Sequence, residues 1–489
     1  MVRIPDRNKI SDFEQMVSLN KVIKRLETQL LTEMLTLGEL VELAEKENIS
    51  LSSMVVAEAM VKEDKSRDEI LSDVMGAFDH NMKALEVGLT KGKSFLLGTV
   101  GSDLAKYDDN VLISDSLINR ALIYTLATEV GNHEIGLQPC AGTGDSCPYT
   151  GLIRALKEEG FLYEQIALAA ALILKVGSIF RAGKQTTGCN MEGFGAGAAA
   201  TAAALTDLRG GTPKQVAKAI VLAISPTIAV PCTPRVMAAG LCASHISGAI
   251  LIGNQAANLT LKTSLPVDID VDVMIAMAAR IHVEAAPVIT DINLEYLEPY
   301  FQKKPQVEPF VDKNIRNSEK EKANRIKSQA REEVRKLISS SRPLTQVFGD
   351  VVVGGSSIAV GSPTNMARIC NEMISGKIKK IEIDLTIDLF SRRAINVPAI
   401  LMGAIYGART GNAELYHKIF ELPEIKNIEV KINKVDIPQV QRIRIHATEM
   451  SAMVDAKNRG GGRVAIVDAK PSLQEALRAA EKLGIEVVD

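Results

Sequence analysis

Between Gly131 and Leu261 the chain alternates Gly-rich turns with Ala-rich apolar runs, and this pattern restricts its fold more than any other feature. The turns read PCAGTGDSCPYTG, GCNMEGFGAG and LRGGTP, and the runs read IALAAALILKVGSIF, AAATAAALTDL and PKQVAKAIVLAI. Apolar residues spaced by three and four place one face of each run toward a common core, so the runs predict helices. Small side chains let such helices approach closely, either around something enclosed or simply as a tight all-α core. Aromatics are only 4% of the chain and Trp is absent, so Ala, Leu, Ile, Val and Met must fill that core.

A length of 489 residues exceeds one ordinary core and predicts two or three domains. Residues 1–36 read as a helical lead-in. From Gly38 a helical pattern runs through LVELAEKENIS and MVVAEAMVKEDKSRDEILSDVMGAF. GKSFLLGTVGSDLAKYDD is punctuated by Gly and reads as loop, and a helix is predicted over Ser114–Val130. The first domain spans 37–305. Residues 306–342, with VDKNIRNSEKEKANRIKSQAREEVRKLISSS, form a charged helical connector. From 343 to 489 the pattern turns β-rich in TQVFGDVVVGG, KIKKIEIDLTIDLF, NIEVKINKVD, QRIRIHATEM and GRVAIVD, with helices over Asn365–Ile374, Ala399–Tyr406 and Leu473–Leu483. The fold class is thus α+β and multidomain, an all-α domain followed by a smaller α+β domain.

Charges nearly cancel, 57 basic against 59 acidic, which gives no basic surface for nucleic acid or an anionic membrane. The apolar stretches Ala167–Leu174 and Val236–Leu261 read as buried helices, since the second carries Ser244, His245, Ser247, Asn254 and Gln255. Met1–Asn20 is polar and charged, without the apolar run of a signal peptide, so a cytoplasmic location is expected. In that compartment the six Cys are thiols or metal ligands. Cys370, in MARICNEM, reads as an inert core thiol, while Cys140 and Cys147 flank the turn PCAGTGDSC. Cys189 (TTGC), Cys232 (VPCTP) and Cys242 (GLCAS) each sit beside a turn former or small residue, as thiolates must to approach iron without crowding. Their spacing matches no short-range zinc or ferredoxin pattern, and buried Cys also serve as small hydrophobes, so spacing leaves both readings open. No Walker or Rossmann loop is present; GFGAG at Gly193–Gly197 follows no strand.

Several stretches resemble the iron–sulfur-dependent L-serine dehydratases. LGELVELAEKENISLSSMVVAEAM is similar to the start of that family's α portion, and FLLGTVGSDLAKYDD to its Gly-Gly-Asp-Ala-Lys-Lys loop. ALIYTLATEVGNHEIGLQPCAGTGDSCPYTGLIRAL resembles the passage through its Pro-Thr-Ala-Gly turn. TTGCNMEGFGAG resembles its Gly-Cys-Gln-Ala-Glu-x-Gly motif, and VPCTPRVMAAGLCASHISGAILIGNQAANL its closing two-Cys segment. VVVGGSSIAVGSPTNMARI, VPAILMGAIYGARTGN and NRGGGRVAIVD resemble the family's β portion, here placed after the α portion in the manner of a rearranged paralogue. The resemblance implies a 4Fe–4S cluster on Cys189, Cys232 and Cys242. One iron would stay open as a Lewis acid for the leaving hydroxyl, while a protein base takes the proton from the adjacent carbon.

The sequence departs from the family at positions that face substrate. The family His of the Ser-Ser-His-Thr loop falls near Ile358 or Ala359 and is missing. Ser225-Pro226-Thr227 replaces Glu-His-Asn, Ala243-Ser244-His245 replaces Glu-Arg-Asn, and Pro139-Cys140 replaces Pro-Thr. His245, three residues after Cys242 and so on one helix face with it, is the first candidate base. His133 and Lys184 follow it. Ser356, Ser357, Asn365 and Thr143 are candidates for holding substrate, with a Gly-Ser cap on a helix starting near Pro363 as the simpler reading of the first three. The expected activity is a lyase converting a small β-hydroxy amino acid, by default L-serine to pyruvate and ammonia. A cysteine desulfidase-type or other hydroxy-acid lyase, and a cluster-bearing sensor or subunit without catalysis, are the competing expectations. The expected partner is a small amino or hydroxy acid, without nucleic acid or membrane, and the Ala-rich surfaces leave room for a homodimer.

Overall fold

The structure is a computed structural model that describes residues 21–28, 34–107, 110–135, 146–182, 192–228, 230, 234–339, 343–346, 357–409, 411–436, 440–459 and 462–488. It divides into two compact units, one ending at Glu332 and the other beginning at Glu333.

The described part of the first unit is helical. After α1 (21–28) come α2 (Leu37–Glu47), α3 (Leu51–Glu63), α4 (Arg67–Gly76), α5 (Asp79–Thr90), α6 (Val100–Leu104), α7 (Ser116–Ile135), α8 (Cys147–Glu158) and α9 (Tyr163–Ala182). A π-helical turn, Glu192–Ala196, leads into α10 (Gly197–Leu208), then α11 (Pro213–Ile224), α12 (Leu241–Lys262) and α13 (Val271–Leu297). Local chemistry sets the starts. Thr36 and Glu39 cap α2, Ser66 and Glu69 cap α4, and Thr212 and Gln215 cap α11, each pair exchanging side-chain bonds with the other's amide. Pro213 adds the fixed φ favoured at a first helical position. The core joins Leu40, Met54, Tyr149, Leu152, Ile173 and Ile220, and alanines 199, 200, 203 and 204 of α10 are buried among them. The Ala-rich runs therefore lie at the centre, as their pattern predicts.

Two expectations for this unit change. The tract read as loop contains α6, because Val100 and Leu104 pack onto a satellite cluster with Leu97 and Leu126. The helix expected to end at Val130 runs to Ile135 and carries His133. The apolar stretch 236–261 largely forms α12, which buries Ile246, Ala249, Ile250, Ala256 and Ala257. By length and composition two other segments could cross a membrane, Tyr163–Phe180 and Val271–Tyr300.

The helix α14 (Lys313–Ser339) has no buried residue. In the second unit come α15 (Ser357–Met373), β1 (Ile378–Thr386), α16 (Ile387–Ser391), α17 (Arg393–Tyr406), α18 (Ala413–Lys418), β2 (Glu429–Val435), β3 (Val440–Ala447), β4 (Ala452–Asn458), β5 (Val464–Lys470) and α19 (Leu473–Lys482). The sheet order is β2-β1-β3-β4-β5; β1 and β2 are parallel and the other pairs antiparallel. Strand alternation turns Ile381, Ile383, Ile443, Ile445 and Val454 into a core with Met366, Ile369, Cys370 and Ile400 from α15 and α17. The opposite face carries Glu382, Asp384, Arg442 and Arg444. The helix expected near Pro363 begins at Ser357, with Pro363 inside it. The single Ser362 hydroxyl hydrogen is shared between the Arg463 carbonyl (2.6 Å) and Asn458 Oδ1 (2.8 Å), a tertiary anchor that offsets the ladder bond that proline removes. Of TQVFGDVVVGG, expected to be β-rich, Thr345 and Gln346 lie in a 3₁₀ turn and the rest lies outside the described residues.

Candidate active site

Cys242 is the second residue of α12 and is buried. Gly240, at φ +85°, turns the chain into the helix, a conformation that L side chains rarely adopt. Its N–H donates to the Leu96 carbonyl at 2.9 Å, which pins the Ser94–Gly98 loop against the helix start. The side chain thus sits in the first turn of a long helix, where the backbone dipole favours negative charge. It packs in a small cluster with Leu97, Leu126, Val130, Cys147 and Ile246. Cys189 and Cys232 lie outside the described residues, as do Cys140, Thr143, Lys184 and Ser356. Ser357 opens α15, and its side chain is likewise outside them. Among the described residues no three His, Cys, Asp or Glu side chains form a metal site.

His245, one turn after Cys242, is where three segments come together. Its ring lies 5.1 Å from that of Phe194, in the π-helical turn shortly after Cys189. Arg235 Nη2, in the 3₁₀ turn shortly after Cys232, is 3.4 Å from His245 Nδ1. A guanidinium can only donate, so Nδ1 accepts and the ring hydrogen of the neutral imidazole sits on Nε2. The chain just downstream of both Cys189 and Cys232 therefore packs on the first turns of the helix bearing Cys242. π-Helical turns occur mostly as single turns and often at functional sites.

His133 heads a second, buried network. Ser94 Oγ accepts the Leu96 and Leu97 amides at 3.0 and 2.9 Å, which uses its lone pairs, so its O–H donates to His133 Nδ1 at 2.6 Å. The ring hydrogen then sits on Nε2, 3.1 Å from Glu129 Oε1. Glu129 Oε2 accepts the Cys147 S–H at 2.9 Å, and Asn132 Nδ2 donates to that sulfur at 3.3 Å. Glu129, Asn132 and Cys147 are all buried. Both ring nitrogens of His133 are engaged, and Cys147 links this network to the apolar cluster holding Cys242. Sequence reading missed Glu129, Ser94, Arg235 and Phe194. Only Glu129 left a local signal, an acidic residue one turn before His133 in an otherwise apolar run.

Asn365, in the second unit, donates from Nδ2 to the Gly462 carbonyl (2.9 Å) and accepts Arg368 Nη1 at Oδ1 (2.8 Å), so its amide ties α15 to the turn before β5. Cys370 donates to the Ile443 carbonyl at 3.3 Å, and burial pushes its thiol up.

Together these features define an α+β protein whose helical part brings a helix-start thiol and two histidines into one neighbourhood. Residues 46–285 match the model of the serine dehydratase alpha chain. A probable L-serine dehydratase alpha chain of Bacillus subtilis (strain 168) is 25% identical over 215 residues, 40% of this chain and 68% of that one. Just under half of the chain thus resembles the serine dehydratase alpha chain, at an identity that marks divergence.

Proposed function

We propose that the chain is a 4Fe–4S-dependent lyase acting on a small β-hydroxy amino acid, with L-serine to pyruvate and ammonia as the default reaction. Cys189, Cys232 and Cys242 would hold the cluster, and a cytoplasmic location suits it. The observation that carries this reading is the meeting of Phe194 and Arg235 on His245. It draws the chain beside the two other thiols toward the Cys242 helix, and a three-thiolate donor set is the chemistry iron–sulfur clusters require. When bound, the cluster supplies an open iron as a Lewis acid for the departing hydroxyl.

The chain's own groups supply the rest. Arg235 is half-buried and donates to His245 Nδ1. A substrate carboxylate is a stronger acceptor for a guanidinium than an imidazole nitrogen is. Binding would draw Arg235 off His245, orient the amino acid and free Nδ1 to take the Cα proton. His133, engaged at both nitrogens, would instead fix Glu129 and Cys147 beneath the site. Released enamine tautomerises and hydrolyses without further help.

The test is anaerobic reconstitution. About four irons per chain, with visible iron–sulfur absorbance, and pyruvate formation from L-serine are expected. Iron content should be lost in Cys189→Ser, Cys232→Ser and Cys242→Ser. A colourless chain that binds no iron overturns the proposal. Sulfide release from L-cysteine without serine turnover would move the chain to the desulfidase reading, and an iron-loaded chain inert on both would make it a sensor or subunit.

A further inference from the structure

We infer that the first unit carries a binding site for a small aliphatic monocarboxylate, in the cavity between α11, the end of α12 and the turn that follows it. The cavity holds about 220 Å³. That is below the roughly 300–1,000 Å³ of sites for drug-sized ligands, so it suits a small molecule. Gln215, Lys218 and Leu222 line it from one face of α11, spaced by three and four residues. Thr260 lines it from α12, and Ser264 and Pro266 from the turn. Thr263 holds that turn in shape: its Oγ1 donates to the Leu259 carbonyl at 2.6 Å and accepts the Leu265 N–H at 3.3 Å.

The polar groups at this cavity are left unpaired by the fold. A helical threonine commonly returns its hydroxyl to the carbonyl four residues earlier, as Thr125, Thr206 and Thr263 do here at 2.6–2.7 Å. Thr260 does not: it is 9% exposed, and its Oγ1 has no hydrogen-bond partner among the described residues. A buried hydroxyl without a partner is costly, and a ligand oxygen in the cavity would relieve it. Half-buried Lys218 has no acid within ion-pair distance among the described residues. Gln215 Oε1 accepts the Thr212 N–H at 2.9 Å, which fixes the amide and leaves its NH2 as a donor. One ammonium, an amide NH2 and hydroxyls thus converge, the donor set for a carboxylate. Leu222 and Pro266 offer apolar wall for a carbon chain. No acidic side chain lines the cavity, so the ammonium of an amino acid would find no countercharge there. A single cation beside apolar wall likewise suits a monocarboxylate better than a phosphate dianion. No cysteine borders the cavity, and the inference stands independently of the lyase reading.

Isothermal titration calorimetry of the full chain with sodium 4-methylpentanoate should give one saturable site per chain. Lys218→Met keeps the aliphatic stem and removes the charge, and it should weaken binding at least tenfold with unchanged far-UV circular dichroism. Lys262→Met, which removes an exposed charge outside the cavity, should leave the affinity as it was. Thr260→Val should weaken binding several-fold. In the unliganded chain it should hold or raise the urea midpoint, because a methyl replaces a buried hydroxyl that has no partner. L-Leucine, which adds an ammonium to the same carbon skeleton, and inorganic phosphate should each bind at least tenfold more weakly. A wild-type chain that does not bind 4-methylpentanoate overturns the inference. So does an affinity indifferent to Lys218→Met or to Thr260→Val, a Thr260→Val chain less stable than wild type, or L-leucine or phosphate binding as tightly as the monocarboxylate.

Discussion

At the scale of single residues the buried chain Ser94–His133–Glu129–Cys147 makes the sharpest claim. Glu129 is the shared acceptor of two donors, the half-buried His133 Nε2–H and the buried Cys147 S–H. Glu129→Ala removes the acceptor that both share and opens a cavity, so it should cost about 2–4 kcal/mol, read as a shift in urea midpoint. An unchanged midpoint would mean that the two donors find other acceptors. Cys370 makes the opposite kind of claim. Its thiol is fully buried, donates to a carbonyl and is held in the protonated form by burial. Thiolate is the reactive species, so Cys370 should resist iodoacetamide in the native chain and react only in denaturant, as peptide mass spectrometry would report. Its burial was legible from an apolar helical run. The Glu129 network was not, because its members come from a loop and two helices separated along the chain, and no periodicity encodes such a meeting.

At the scale of elements the site rests on how closely α5 and α7 approach. A Cβ on Gly88 would lie 1.8 Å from the Ala127 carbonyl oxygen, and one on Gly131 would lie 1.7 Å from the Ala84 carbonyl oxygen. The contacts are reciprocal: each helix offers an alanine and, one turn later, a glycine, so the two backbones nearly touch. Asn132, His133 and Glu129 lie within a turn of this contact, which sets their height above α5. In an isolated helix Gly→Ala gains about 1 kcal/mol. Here the added methyl collides with backbone that cannot yield, so Gly131→Ala should instead destabilise by about 2–3 kcal/mol in urea unfolding, the range for overpacked cores. It should also lower activity by displacing Glu129 and His133. A stabilised variant would show that the helices can separate at no cost. The sequence announced close helix packing through its small residues, but which glycines face which alanines depends on crossing geometry. The same limit explains why Pro363 read as a helix start: local rules place proline in a first turn, whereas the bonds of Ser362 to the ends of β4 and β5 carry α15 back to Ser357.

For the whole molecule the division into a helical α part and a smaller α+β part followed from composition, because the switch from helical to alternating periodicity is local and strong. β4 was missed because AMVDAKN lacks the alternation of its neighbours: its residues 452–456 are all buried. The sheet face away from the helices makes the second unit sensitive to acid. Glu382 on β1 lies 2.9 Å from Lys380 Nζ, 2.9 Å from Arg444 Nη1 and 3.4 Å from His446 Nε2. These hydrogen bonds, Lys380 first and Arg444 next, bring its carboxyl down from 4.5 to about 2. A carboxylate depressed in the folded state binds its proton more readily once unfolded. Its stabilisation is therefore complete above the unfolded value and is lost as pH falls through the folded one. That window runs from about pH 4.5 to about pH 2. Glu382→Gln should lower the stability of the full chain at pH 7 by about 1–3 kcal/mol, the range for charge-assisted hydrogen bonds. The difference between wild type and variant, measured as urea midpoints, should shrink toward zero across that window. A difference that stays constant from pH 7 to pH 2 would mean that the ionised carboxylate contributes nothing and that only the shape of the side chain is used.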